Sequence, residues 1–395
     1  MTARHSLTRS VDPDGMTYDP GLYLHVPFCL QKCPYCSFYS LSGRLDLSKR
    51  FITAVNRQIK MFSTRRETRE QPPATIFFGG GTPSMLSPTI LVDLLQACLD
   101  QFPHTDELEI SIEVNPATID QEGLQLLRRG GFNRLSIGVQ SFNNQELKKI
   151  GRVHSAAEAG QTVHMARQAG FTNISLDLMY GLPGQDEQSW QVNINHALAL
   201  EPDHLSLYEL TIEEDTPFAH RLNRNDLQLP NEEKVLAMME TTRQLTSGAG
   251  LSRYEISNYA RPGFQCRHNI NYWQNGPYIG LGPGAVSRLG PTRFTAVADV
   301  ELFCERLENG REVRQEEETL DNEARFRETV IMGLRMTKGV SLNALKQRFG
   351  INPTSYYGAT LNQLMEQELV EIQQGRFRLT EPGLLLANTV MAQLV

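Results

Sequence analysis

The chain has no apolar run long enough to cross a membrane. Its longest apolar stretches, such as Thr89 to Leu99, are interrupted by Asp93 and Gln96 and fall far short of the ~20 residues that a spanning helix needs. The first twenty residues carry Arg4, Arg9, Asp12 and Asp14 and no apolar core, so they do not read as a secretory signal, and the acidic residues speak against an organelle-targeting peptide. Positive charge is not in excess either. Thirty-eight Lys and Arg against 45 Asp and Glu leave a formal charge of -7, which removes the long-range attraction to phosphate backbones that nucleic-acid binding relies on. Cysteine is too scarce for a disulfide framework: there are six in 395 residues, three of them between residues 29 and 36. Cys98, Cys266 and Cys304 read as reduced thiols of a cytoplasmic protein. No internal repeat or low-complexity segment occurs.

What is present is the material of a folded core. Forty per cent hydrophobic and 21 per cent charged residues are ordinary for a globular chain of one large α/β domain with a small appendage. Strand-like runs recur at Leu22 to Val26, Thr75 to Phe78, Leu108 to Val114, Arg134 to Val139, Asn173 to Met179 and His204 to Tyr208, each followed by a helical pattern. Phe51, Val55, Ile59 and Phe62 share one helical face. Ser87-Pro88 is a cap and first-turn pair, and Ser155 with Glu158 forms a capping box for a helix that Gly170 ends. Alternation of this kind predicts a parallel sheet covered by helices, either open and doubly wound or curled into a partial barrel, with its active site just after the strands.

Past residue 310 the texture changes. Glu312 to Glu318 is a charged stretch. Helical patterns at Phe326 to Leu334, Leu342 to Phe349 and Ser355 to Gln367 precede a hairpin, Val370 to Ile372 and Arg376 to Leu379, and a last helix through Leu384 to Leu394. This is a winged-helix layout, usually a DNA reader. The segment from Thr354 to Glu368, where a recognition helix would lie, contains no Lys or Arg, so a packing or interaction module is the reading adopted.

The densest chemistry is Cys29-Leu-Gln-Lys-Cys33-Pro-Tyr-Cys36, directly after the first strand and preceded by Tyr23, His25 and Pro27. Three thiolates from one tight loop can hold three corners of a cubane cluster and leave one iron open. The same residues allow two other readings: a structural zinc site with His25 as fourth donor, and buried free thiols. Zinc usually shows paired Cys-x-x-Cys units or a distant pair of donors.

Further motifs sit after later strands. Gly79-Gly80-Gly81-Thr82-Pro83 lets bare backbone approach a ligand. Glu113 ends the third strand in Ile112-Glu113-Val114-Asn115-Pro116, where a carboxylate can accept hydrogen bonds from ribose hydroxyls or an ammonium group. Gln140 ends the fourth in Gly138-Val139-Gln140-Ser141-Phe142. Arg152 follows in Gly151-Arg152-Val153-His154, and Asp177 lies in the fifth within Asp177-Leu178-Met179-Tyr180-Gly181-Leu182-Pro183-Gly184. Any one polar residue at a strand end is more often structural than functional; four in succession point at one pocket.

Taken together, the Cys-x3-Cys-x2-Cys spacing with Tyr35 before the last cysteine and the four later motifs resemble the radical S-adenosylmethionine (SAM) superfamily. The resemblance runs from about Tyr23 to the C-terminus and is to the branch that holds oxygen-independent coproporphyrinogen III dehydrogenases and heme chaperones. It implies a partial (β/α)6 TIM-like barrel with a small C-terminal winged-helix-like domain. It also implies a [4Fe-4S] cluster on Cys29, Cys33 and Cys36, with SAM chelating the open iron and Tyr23, Phe38, Gly80, Gly81, Thr82, Glu113, Gln140, Arg152 and Asp177 around it. The domains expected are residues 1–20 as a flexible N-terminal segment, 21–255 as the partial barrel, 256–310 as a linker region carrying a heme motif, and 311–395 as the winged-helix-like domain.

Two departures separate the branches. The dehydrogenases carry a fourth cysteine where this chain has Phe38, and a longer N-terminal region. The heme chaperones instead carry His-Asn-x-x-Tyr-Trp, here His268-Asn269-Ile270-Asn271-Tyr272-Trp273. A neutral imidazole at His268 can ligate heme iron while Tyr272 and Trp273 pack on the macrocycle; the other reading is a core histidine beside two interface aromatics. The branch favoured is a heme chaperone that passes heme to client hemoproteins, with reduced flavodoxin or a similar electron donor as partner. Peripheral membrane contact by a heme-loaded form and a homodimer are compatible with it. The competing reading is anaerobic oxidative decarboxylation of coproporphyrinogen III, and a third is a metal-stabilised scaffold whose tail recruits other macromolecules.

Overall fold

A computed structural model describes residues 10–11, 17–64, 72–104 and 107–395. Most of the segment expected to be flexible, residues 1–20, lies outside the described residues.

Six strands follow one another in chain order: β1 Gly21–Val26, β2 Thr75–Gly80, β3 Glu109–Val114, β4 Arg134–Gln140, β5 Ile174–Tyr180 and β6 His204–Glu209. Each pairs in parallel with the next. Strands of a parallel sheet buried on both faces usually read as continuous apolar runs. These alternate instead. Leu22, Leu24 and Val26, then Ile76 and Phe78, then Ile110, Ile112 and Val114, and then Ile174, Leu176 and Leu178 join the large apolar core under helices such as Ser48–Ser63, Pro88–Gln101 and Ala156–Gln168. The intervening residues are mostly polar or aromatic and meet one another. Ser136 Oγ donates to Asp177 at 2.9 Å, and Ser175 Oγ lies 2.8 Å from His204 Nδ1. Period-two patterning with a polar inner face is what a curled sheet requires when only its outside is covered by helices.

The sheet continues past these six strands. β8 Asn258–Ala260 runs antiparallel beside β6, and β7 Ser252–Arg253 antiparallel beside β8. On the other side β9 Tyr278–Leu281 is a seventh parallel strand next to β1, followed by antiparallel β10 Val286–Leu289, β11 Thr292–Ala296 and β12 Arg314–Thr319. The order is β7-β8-β6-β5-β4-β3-β2-β1-β9-β10-β11-β12, so the barrel does not close. Two expectations change here. Residues 256–310 are not a linker: they hold four strands of the main sheet and the helices Arg267–Trp273 and Val300–Glu308. The charged stretch at Glu312 to Glu318 is largely the edge strand β12, whose outward carboxylates face water.

The C-terminal unit is built on helix Asn322–Leu334, helices Leu342–Phe349 and Pro353–Glu366, and a three-stranded sheet of β13 Val340–Ser341, β14 Val370–Gln373 and β15 Arg376–Leu379. It has its own apolar core around Phe326, Leu361 and Phe377. The last helix is split in two, Glu381–Leu385 and Ala387–Ala392, because Leu386 leaves the helical region at φ -108° and ψ 25°. Among the described residues no helix is long and apolar enough to cross a membrane.

Candidate active site at the C-terminal strand ends

The first strand feeds directly into the cysteine loop. Cys29 is fixed by a short pairing of Phe28–Cys29 with Leu41–Ser42, and the loop closes on itself where Cys36 N–H donates to Cys33 O at 3.1 Å. Tyr35 packs against Phe218, ring centroids 6.2 Å apart. The glycine turn after β2 is laced to the same loop, Gly81 N–H donating to Val26 O at 2.9 Å and Thr82 N–H to Phe28 O at 2.8 Å. A Cβ at Gly81 would lie 2.8 Å from Phe28 O and 3.0 Å from Cys29 Sγ; only a bare backbone can approach this closely.

A relay of side chains ties two of the thiols together from below. Arg152 points one guanidinium nitrogen at Cys33 Sγ, 3.8 Å away, and donates with the other to Asn115 Oδ1 at 2.6 Å and Gly138 O at 2.8 Å. Asn115 Nδ2 donates to Thr82 Oγ1 at 2.8 Å, and that hydroxyl lies 3.6 Å from Cys29 Sγ. A Cβ at Gly138 would come within 2.8 Å of Asn115 Oδ1, so this glycine too makes room for the relay.

One cavity of about 510 Å³ gathers Cys29, Cys33, Cys36, Phe38, Gly80, Gly81, Thr82, Glu113, Gln140, Arg152 and Asp177. These are the expected cluster and SAM residues with one exception. Tyr23 lies a layer deeper in the barrel: its hydroxyl donates to His25 Nδ1 at 3.1 Å and its ring stacks on Phe77. Asn115 lines the cavity as well; it stands in the motif after Glu113, but nothing in its residue type marked it out. Phe38 sits on the rim, 69 % exposed.

The electrostatics suit an occupied pocket. Glu113 accepts from Gly80 N–H at 3.3 Å, yet burial, reinforced by the nearby Asp177 carboxylate, pushes its pKa up to about 8. Asp177 is also raised by burial, against the pull of hydroxyls from Ser206, Ser136 and Ser175. Arg152 Nε is buried with no hydrogen-bond partner, an unsatisfied donor of the kind a ligand satisfies. Burial raises the Cys36 thiol, and the neighbouring Cys33 and Cys29 add to it.

Among the described residues no three His, Cys, Asp or Glu side chains close around a point as a single metal ion requires; a cubane asks for something else, one thiolate at each of three irons. The zinc reading needs His25, and both its ring nitrogens are engaged, Nε2 donating to Tyr39 O at 2.9 Å and Nδ1 accepting from Tyr23. The residues present therefore fit a [4Fe-4S] cluster with an open iron, and the glycine turn, Thr82, Glu113, Gln140, Arg152 and Asp177 are the groups that would hold SAM against it.

The heme motif lies elsewhere. Helix Arg267–Trp273 plugs the opposite, N-terminal end of the strands. His268 is 1 % exposed, with Nδ1 2.8 Å from Thr75 Oγ1 and Nε2 3.0 Å from Tyr272 Oη, and its ring stacks on Phe77. Glu109 accepts from the backbone N–H groups of Arg267 and His268 at 3.0 Å and 3.1 Å. Trp273 lies under the Arg335 guanidinium, 4.3 Å from its centroid. In this arrangement both ring nitrogens of His268 are within hydrogen-bond distance of Thr75 and Tyr272; the spacing of 268 and 272, one helical turn, is the signal that pairs them. Cys266 is fully buried with its thiol 3.6 Å from Glu109 Oε1.

An incomplete parallel barrel with three thiols at its mouth defines a class, and comparison agrees: the chain belongs to the radical SAM superfamily. Residues 23–196 match the model of that superfamily and residues 320–386 that of the HemN C-terminal domain. Relatives include the heme chaperone HemW of Bacillus subtilis, 36 % identical over 372 residues and covering 93 % of this chain and 97 % of that protein. The heme chaperone HemW of Escherichia coli is 40 % identical over 270 residues, 67 % of this chain and 69 % of that one. A solved structure of coproporphyrinogen III oxidase (HemN) from Escherichia coli superposes with a TM-score of 0.82 at 23 % identity, covering 95 % of this chain and 90 % of its own, which shows a shared fold. Membership implies a [4Fe-4S] cluster and SAM.

Proposed function

We propose that this chain is a heme chaperone: it binds heme and passes it to client hemoproteins, and it retains a [4Fe-4S] cluster and SAM site without decarboxylating coproporphyrinogen III. The observation that carries the choice of branch is Phe38. It stands on the rim of the cysteine cavity, exposed, where the dehydrogenases of the branch place a fourth cysteine. Full-length similarity to proteins named heme chaperone HemW supports the same choice.

Cys29, Cys33 and Cys36 hold the cluster in this reading, and a reduced cluster with SAM on its open iron supplies one-electron chemistry when bound. The protein's own contribution is positional. Arg152, Asn115 and Thr82 fix the thiols of Cys33 and Cys29, and the glycine turn admits the methionine end of SAM. Glu113, Gln140 and Asp177 offer acceptors and an amide to its amino and hydroxyl groups. Reduced flavodoxin or a similar protein is the proposed electron source, and the cytoplasm the proposed compartment.

The test is to give the anaerobically reconstituted chain coproporphyrinogen III, SAM and a reductant, and separately to titrate it with hemin. Hemin binding without protoporphyrinogen IX is the expected result; formation of protoporphyrinogen IX overturns the choice of branch. In the same preparation Cys33→Ala should lose most of the about four irons of a cubane, and Cys98→Ala, altering a buried thiol outside the cavity, should keep them.

A further inference from the structure

A cluster on Cys29, Cys33 and Cys36 needs an electron from outside, so its loop has to offer a donor somewhere to come close. The two sides of that loop differ. Tyr35 packs against Phe218, whereas Leu30, Gln31, Lys32 and Phe38 are exposed. Leu30, next to Cys29, is 59 % exposed, and Val153, next to Arg152, is 55 % exposed.

Leu30 and Val153 border one small hollow on the surface, with Gln31, Cys33, Met85 and Arg152 among its other walls. Cys33 and Arg152 also line the cysteine cavity, so the wall between the hollow and the cavity is a single layer of side chains. The two segments that build the hollow are pressed together. A Cβ at Gly151 would lie 2.7 Å from Pro34 Cδ, and Arg152 Nη1 is 3.8 Å from Cys33 Sγ. Gly151, at φ +71°, turns the chain so that its N–H donates to Lys148 O at 3.2 Å. This brings the end of helix Asn144–Lys149 up beside the cysteine loop.

Charge singles out the same face. Residues 28–40 and 147–154 carry Lys32, Lys148, Lys149 and Arg152 and no Asp or Glu, in a chain whose formal charge is -7. Lys32 and Lys148 are exposed, and Lys149 Nζ is tied to Pro183 O at 2.9 Å. Glu209 and Glu213 line the cysteine cavity but not the hollow. An apolar centre with a charged rim is the anatomy of a protein-binding surface, and positive charge gathered on one face of an acidic protein steers and orients an acidic partner.

We infer that the face made by Leu30, Val153, Lys32 and Lys148 is the docking surface for a small acidic electron-transfer protein. The partner sets its flavin or iron–sulfur group against the Cys33 side of the loop. The reduced partner gives up one electron and the cluster takes it; no bond forms or breaks in that step. The inference rests on the cluster reading above and deepens it by giving the electron source a place to bind.

The test follows cluster reduction in the anaerobically reconstituted full chain by visible absorption, with two reductants: reduced flavodoxin, and illuminated deazaflavin, which is small enough to need no docking face. Four proteins are compared: wild type, Lys32→Glu, the double variant Lys148→Glu/Val153→Asp, which lies outside the cysteine loop, and the control Lys60→Glu/Lys346→Glu, two exposed lysines elsewhere. Flavodoxin should reduce wild type at a rate that falls with added salt. Both face variants should be at least about tenfold slower with flavodoxin, while their iron content and their rates with deazaflavin match wild type and the control is unchanged. A wild-type flavodoxin rate in Lys148→Glu/Val153→Asp overturns the face. So does equal slowing with both reductants, or equal slowing in the control. A changed oligomeric state in size exclusion with an unchanged flavodoxin rate gives the face to a second copy of the chain and overturns the partner. Reduction of wild type by deazaflavin but not by flavodoxin overturns the docking inference alone, and a wild-type chain that takes up no iron overturns the cluster reading with it.

Discussion

His25, His154, His204 and His268 are buried, and burial is the main reason each is held neutral: His154 is lowered to about 4, His268 to about 3, and the other two in the same direction. For a base whose folded pKa lies below its unfolded one, only the unfolded chain takes up the proton on mild acidification. The fold is therefore at full strength above pH 6.5 and weakens as pH falls toward 3. Each such histidine costs about 1.4 kcal/mol per pH unit between its unfolded and its folded pKa. His268→Asn, which cannot be protonated, should be less stable than wild type at pH 7 because the bonds to Thr75 and Tyr272 change. The gap should narrow by about 2 kcal/mol between pH 6.5 and pH 5, measured by denaturant unfolding; a gap that stays constant would mean that His268 is not held neutral. At this scale the sequence was legible where chemistry is carried by residue type and spacing, as for the three cysteines. It was not legible where place decides, as for Asn115, an ordinary amide that becomes the middle of the Thr82–Arg152 relay, and for His268, whose contact with Thr75 joins segments far apart in the chain.

At the scale of elements, local rules worked. The six parallel strands lie within one residue or two, at either end, of the runs that the apolar pattern marks, and the Ser155–Glu158 capping box is present with both of its hydrogen bonds. What escaped was pairing without a local signature: the short strand Tyr278–Leu281 follows Gly276-Pro277 and becomes a strand through its partner β1, not through its own pattern. The glycine turn offers the corresponding test. Gly81→Ala places a methyl group against Phe28 O and Cys29 Sγ. Overpacking of this kind typically costs about 1–3 kcal/mol, and because the clash is with a thiol, iron loading after reconstitution should fall as well. Wild-type iron content together with wild-type stability would show that the cysteine loop yields easily.

For the whole molecule, carboxylates help to bind the two apolar cores to each other, and the buried Glu255 lies 3.6 Å from Arg335. Glu328, on the first helix of the C-terminal unit, pairs with Arg293 and approaches Arg288 at 3.8 Å, and it accepts from Asn275 Nδ2 at 2.9 Å. Arg288 is 4 % exposed, and burial lowers it to about 10. Removing a partner from a buried cation typically costs about 3–5 kcal/mol, so Glu328→Ala should destabilise by that order, and Glu328→Gln by less. Calorimetry should show the C-terminal unit melting apart from the barrel in Glu328→Ala; a single unshifted transition would place the coupling elsewhere. None of this long-range order was visible in residues 256–310, because a contact between distant segments leaves no periodicity behind.

The sheet ends, at one side, in β12, where Glu316, Glu317 and Glu318 stand in an exposed row. An approaching strand from a second copy would bring its own row of like charge to the same line, and the two would push apart before backbone groups could meet. The border thus keeps this side of a long unfinished sheet from growing by self-addition.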